Sequence, residues 1–250
     1  MPATRQHDGR SRTSAVKHFI DDVQYALRVN DAARWATIGL AGVVVYLFVG
    51  RLLDPGFTDY WWYQLAQTSL TLLVVLFFNG MFAKEGGMAW QTHAVVVGAT
   101  LADTLGTAGH MYERWGPYDK VVHFSSGAAF AAGGYQALAF LKQRRVIAWD
   151  PFVRGVVAIA VSFVVVGIAW ETYEYLSDVV FGSGRVHGWG DTIGDLVADS
   201  TGAILAVSFI RRYERHQHHE IAANSSYHHG LSQDQELHLH PVQGGGGLDD

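Results

Sequence analysis

Residues 153–176 read VRGVVAIAVSFVVVGIAWETYEYL. No charged side chain occurs from Gly155 to Trp170, and two acids, Glu171 and Glu174, then follow within one helical turn. A run of this length and apolarity matches the ~20 residues that a helix needs to cross the hydrocarbon of a bilayer. Comparable stretches lie at 34–50, 64–83, 89–111, 120–141 and 192–210. The sequence therefore predicts an all-α, polytopic transmembrane bundle of about six spans over 34–210, embedded in a lipid bilayer. The composition agrees, because 49% hydrophobic and 16% charged residues is apolar and charge-poor for a soluble domain.

Around this domain the chain is polar. Residues 1–15 carry arginines and no apolar core of a secretion signal, and are expected to form a disordered arm. Over 16–30, Val16, Phe19, Ile20, Val23 and Leu27 recur at helical spacing opposite Lys17, Asp21, Asp22 and Arg28, the pattern of an amphipathic helix on a membrane surface. Residues 216–250 hold seven histidines and end in a glycine run, and are expected to be a disordered tail. Of the 18 Lys and Arg residues, only Arg51, Arg114, Lys120 and Arg185 fall on the side opposite the termini. That asymmetry predicts that both termini are cytoplasmic.

Several function classes are excluded or unsupported. With no cysteine there are no thiolate ligands, disulfides or cysteine nucleophiles, so any metal must sit on His, Asp or Glu. A net charge of −5 provides no basic surface for nucleic acid. No Gly-x-Ser-x-Gly, phosphate-cradling glycine loop or His-Glu-x-x-His motif is present.

Ionisable residues inside the spans carry the functional signal, since each costs about 2.5–3.5 kcal/mol to insert unless it has a partner, water or a role. Asp103 and His110 lie on the third span, Asp119, Lys120 and His123 on the fourth, Glu171, Glu174 and Asp178 on the fifth, and Asp191, Asp195 and Asp199 on the sixth. Separations of three, four, seven and eight residues return to one helical face. Spans three and five leave the membrane on the side where four and six enter, so all four stripes descend from one surface, which is extracytoplasmic by the Lys and Arg count. At about 1.5 Å per residue, Asp103, Glu171 and Asp199 lie about 10–12 Å below their helix ends, and Glu174, Asp195 and His123 about 6 Å below.

Three readings fit this outward-facing site. A divalent metal can be held by a subset of His110, His123, Asp103, Asp119, Glu171, Glu174, Asp195 and Asp199, with Glu171, Glu174, His123 and Asp195 as candidate catalytic groups. The same residues can instead carry a proton or cation in a coupled carrier. They can also form a hydrogen-bonded network that only fixes helix packing. The residues leave enzyme, carrier and structural protein open.

Asp119-Lys120-x-x-His123-Phe124, the acids Glu171 and Glu174, and Asp195-x-x-x-Asp199-x-x-Gly202 resemble, in this order, the motifs of VanZ-like membrane proteins. With Asp103-Thr104-x-Gly106-Thr107 the layout is similar to bacterial six-span inner-membrane proteins of unknown function. The likeness covers about residues 98–205. VanZ-like proteins are associated with low-level teicoplanin resistance, and the resemblance implies a bacterial membrane protein with a functional polar site; an enzyme or binding protein for an envelope lipid or glycan precursor is one expectation for it. The family commonly has Asn at the position of Asp199.

Overall fold

The computed structural model describes residues 10–54, 56, 61–85, 87–182 and 186–239, which among themselves form helices and no strands. The order is α1 (Arg10–Val29), α2 (Asp31–Leu53), α3 (Trp61–Met81), a 3-10 turn at Ala83–Glu85, α4 (Trp90–Ala108) and the single-turn α5 (Met111–Arg114). It continues with α6 (Tyr118–Gln143), α7 (Pro151–Ser162), a π-helical turn (Phe163–Ile168), α8 (Ala169–Phe181) and α9 (Trp189–Leu239). The chain divides into two compact units, residues 1–208, which hold every candidate site residue, and residues 209–250.

Helix ends follow local chemistry. Asn30 caps α2 by accepting from the Ala33 amide at 3.0 Å. Asp150 caps α7, taking the Phe152 and Val153 amides at 2.6 and 2.9 Å, with Pro151 pre-set for the first turn. Gly182 ends α8 in the left-handed region, where a Cβ is penalised.

The packing is inverted relative to a soluble protein. On α3 the buried positions are Gln64, Thr68, Val75, Asn79 and Gly80, while Leu70, Leu73 and Phe77 are exposed. On α4 the buried set includes Gln91, Thr92, His93, Thr100, Asp103 and Thr104, while Leu105 is exposed. A helix whose polar side faces its neighbours and whose large apolar side faces outward is built for lipid, which solvates leucine as well as a protein core does. Among the described residues four helices are long and apolar enough to cross a membrane: Asp31–Leu53, Trp61–Met81, the continuous Pro151–Val180 and Trp189–Gln217. The other two expected spans correspond to α4 and α6, which have 19 and 26 residues but are diluted by the polar residues they bury. The helix α6 packs along both α4 and α7. Its Gly127, Ala128, Ala131 and Ala132 are buried, small residues that let helices approach closely.

At the ends of the chain the helices run past the expected boundaries. Helix α1 begins at Arg10, inside the stretch expected as a disordered arm, and residues 1–9 lie outside the described residues. The Phe19 ring of α1 lies 6.0 Å from that of Phe77, tilted by 40°, and a Cβ at Gly80 would strike Phe19 and Val23, so this helix is fastened to α3. Residues 216–239, expected as part of the tail, are helical. They contain strong helix formers such as Glu220, Ala222, Ala223, Leu231 and Gln235, and no proline before Pro241. Residues 240–250 of the expected tail lie outside the described residues.

Candidate functional site

Two helix beginnings build the site. The first turns of α6 carry Asp119, Lys120 and His123, and the first turns of α9 carry Asp191, Asp195 and Asp199 on one face. Glycines bring these helices together. A Cβ at Gly127 would collide with the Asp199 carbonyl oxygen, and one at Gly202 with the Phe124 carbonyl oxygen. A Cβ at Gly194 would stand 3.1 Å from Lys120 Cε. Only a backbone without side chains at these points allows so close a crossing.

At that crossing His123 is held between acids. Its Nδ1 lies 3.2 Å from Asp199 Oδ2, while Nε2 lies 3.6 Å from Asp195 Oδ1 and 3.8 Å from Asp119 Oδ1. His123, Asp195 and Asp199 are all buried. With Asp199 accepting a hydrogen bond from Nδ1–H, Nε2 is turned toward two carboxylate oxygens; a proton or a cation between them is needed to make that arrangement attractive. One ligand atom from each of Asp119, His123 and Asp195 lies within 4.8 Å of the others.

Lys120 enters the same cluster. Its Nζ is 2.5 Å from Asp191 Oδ1, 2.7 Å from Asp195 Oδ1 and 3.3 Å from Asp119 Oδ2. A single ammonium thus partly neutralises three of the four aspartates.

The acids of α8 approach from a third side. The π-helical turn precedes them, and within it Gly167 has Asp199 Oδ2 3.8 Å from its Cβ position. Such turns re-aim the residues that follow and recur at functional sites. Glu174 accepts from Trp170 Nε1 at 3.0 Å and lies within electrostatic reach of Glu171, His123 and Asp119. Glu171 is buried, and its Oε1 has no hydrogen-bond partner among the described residues; the same holds for Asp199 Oδ1. Buried carboxylate oxygens left without a partner are costly unless a proton, water or cation serves them. Asp178 instead accepts from the Val186 amide at 2.8 Å, fixing the α8–α9 connection.

Asp103 and His110 have partners of their own. Asp103 accepts from the Tyr112 hydroxyl at 2.6 Å and from Gln64 Nε2 at 3.3 Å, and Gln64 also donates to Thr107 at 2.9 Å. Burial first, and the Asp103 carboxylate second, push the Tyr112 phenol above its ordinary pKa. His110 does not share the Asp103 face, because α4 ends at Ala108 and His110 adopts a left-handed φ of 53°. Its side chain is exposed, with Glu113 the acid beside it at 3.8 Å.

His93, an ionisable residue inside the third hydrophobic stretch, escapes the spacing argument. It is buried, with Nε2 2.9 Å from Asn79 Nδ2 and Nδ1 3.1 Å from the Ala89 carbonyl. Asn79 also receives the Met88 amide at 3.2 Å and donates to the Val75 carbonyl at 2.8 Å. Both ring nitrogens have partners, so this pair closes the α3–α4 connection and leaves no free ligand atom. An Asn on one span and a His at the start of the next is the sequence signal for it.

No curated protein and no solved structure matches the chain. A family model described as predicted membrane protein (DUF2238) matches residues 36–216, a stretch that contains all these site residues. The inverted packing, the apolar helices and this match agree, and the chain belongs to that family of membrane proteins.

Proposed function

We propose that the protein spans a bacterial inner membrane six times, with both termini cytoplasmic, and holds a divalent cation at Asp119, His123 and Asp195 near the outer surface. The observation that carries the reading is the spacing of the three ligand atoms. Two ligands about 2.1 Å from a tetrahedral ion stand about 3.4 Å apart. His123 Nε2 already lies 3.6 and 3.8 Å from the two carboxylate oxygens. Asp199 on Nδ1 supplies the outer-shell hydrogen bond that metal-ligating histidines use. Three protein ligands leave a fourth position for water or a substrate oxygen, the arrangement of catalytic rather than structural sites.

In this reading Glu171 and Glu174 handle protons beside the ion, and Lys120 shifts from counter-ion to anion-binding group once the metal neutralises the aspartates. The ligand is an envelope lipid or glycan precursor entering from the outer leaflet, as the VanZ-like motif order suggests. Metal analysis of the purified protein tests it. One equivalent of divalent metal is expected in the wild type and none in His123→Ala; no metal in either, after purification with added zinc or manganese, overturns the proposal.

A second reading has its own observation. The three short contacts of Lys120 form a neutralising network that functions without a metal, as in a proton-coupled carrier or a structural bundle. The two separate in the response of Lys120 variants to metal.

A further inference from the structure

Arg154 stands in the first turns of α7, at the end of the bundle where α6 runs out into Lys142, Arg144 and Arg145. Unlike a surface arginine it is only 6% exposed. Its guanidinium lies over the Tyr135 ring, 4.7 Å from the centroid, and Nε is buried without a hydrogen-bond partner. Among the described residues no carboxylate is ion-paired with it. The acid nearest in sequence, Asp150, accepts the Phe152 and Val153 amides through Oδ1.

A guanidinium withdrawn from water needs a counter-charge, and an aromatic face offsets only part of that cost. Arg144 also lies over a ring, that of Phe140 at 4.7 Å, but is exposed. Around the same turn Val146, Trp149, Phe152 and Val153 are exposed, forming an apolar collar beside the buried charge. Apolar collar, flanking cations and a buried arginine fork together match a phosphate carried on acyl chains, since the guanidinium fork fits phosphate oxygens in pairs.

We propose that Arg154 binds the phosphate of an anionic phospholipid headgroup, with Lys142, Arg144 and Arg145 attracting it to the α6–α7 turn. This site is independent of the cluster around His123, at the opposite end of α6.

Thermal unfolding of the detergent-solubilised full chain, titrated with phosphatidylglycerol, phosphatidylcholine or inorganic phosphate, tests it. Phosphatidylglycerol should raise the Tm of the wild type, and phosphatidylcholine should not. Arg154→Gln should weaken the apparent lipid affinity about tenfold or more, and Arg154→Lys should restore part of it. The triple variant Lys142→Gln/Arg144→Gln/Arg145→Gln keeps the buried arginine and should keep most of the shift, which preserves the test should Arg154→Gln fail to fold. An equal shift from phosphatidylcholine, an unchanged response in Arg154→Gln, or loss of the response in the triple variant overturns the proposal. An equal shift from inorganic phosphate overturns the assignment to lipid.

Discussion

Gly202 on α9 faces the carbonyl oxygen of Phe124 on α6 so closely that no Cβ fits between them. One turn away His123 meets Asp199. The site's geometry therefore rests on a backbone-to-backbone crossing, which makes it sensitive to a single methyl group.

Gly202→Ala should lower stability by about 1–3 kcal/mol or more, because the obstruction is backbone and cannot rotate away. Gly98 on α4 has nothing within 4 Å of its Cβ position, so Gly98→Ala should be neutral or stabilising by up to about 1 kcal/mol. Thermal unfolding of the two variants in detergent checks this, and equal effects would count against the crossing.

Lys120→Met removes the ammonium shared by Asp119, Asp191 and Asp195. The metal-free protein should lose about 1–3 kcal/mol, a value reduced from that of a fully buried pair because the lysine is about one third exposed. Added zinc or manganese should restore stability if a cation fills the site. If the network works without metal, the loss persists at every metal concentration.

Metal stabilisation should also depend on pH with a definite sign. Ligation needs His123 and both aspartates deprotonated at the ligand atom, so acid expels the ion and the metal-induced rise in Tm should shrink as pH falls. At a metal concentration of 100 Kd the rise corresponds to about 2.7 kcal/mol at neutral pH. Wild type and His123→Ala compared across pH would show this, and a rise that grows in acid would contradict ligation by these groups.

The Tyr112–Asp103 hydrogen bond of 2.6 Å gives a second pH dependence, in alkali. The buried phenol has a pKa above its unfolded value of about 10, so unfolding at higher pH releases a proton and stability falls as pH rises beyond about 10. Tyr112→Phe should cost about 1–3 kcal/mol at neutral pH, by leaving Asp103 short of a donor, and should flatten the alkaline decline. Unfolding curves at neutral and alkaline pH measure both effects.

Topology is open to a direct check. Reporter fusions after residues 116 and 215 should report opposite compartments, with residue 215 cytoplasmic. The same compartment at both positions would remove the six-span arrangement.

The hydrophobic runs that become α2, α3, α7 with α8, and α9 were legible in the sequence, because membrane-crossing length and apolarity are properties of a single segment. So was the shared face of Asp191, Asp195 and Asp199, which follows from helical pitch alone. Pitch does not say which way a face turns. The tertiary structure set Asp103 with Gln64 and Tyr112, and it exposed His110 by ending α4 before it. It drew Lys120 into the middle of three aspartates and Asn79 onto His93. It also placed a π-helical turn before Glu171 inside what reads as an unbroken apolar helix. These outcomes depend on the rotation of each helix about its axis, and that rotation is fixed by contacts between segments far apart in sequence. The Gly127–Asp199 and Gly202–Phe124 crossings are such contacts, and no property of either helix alone contains them.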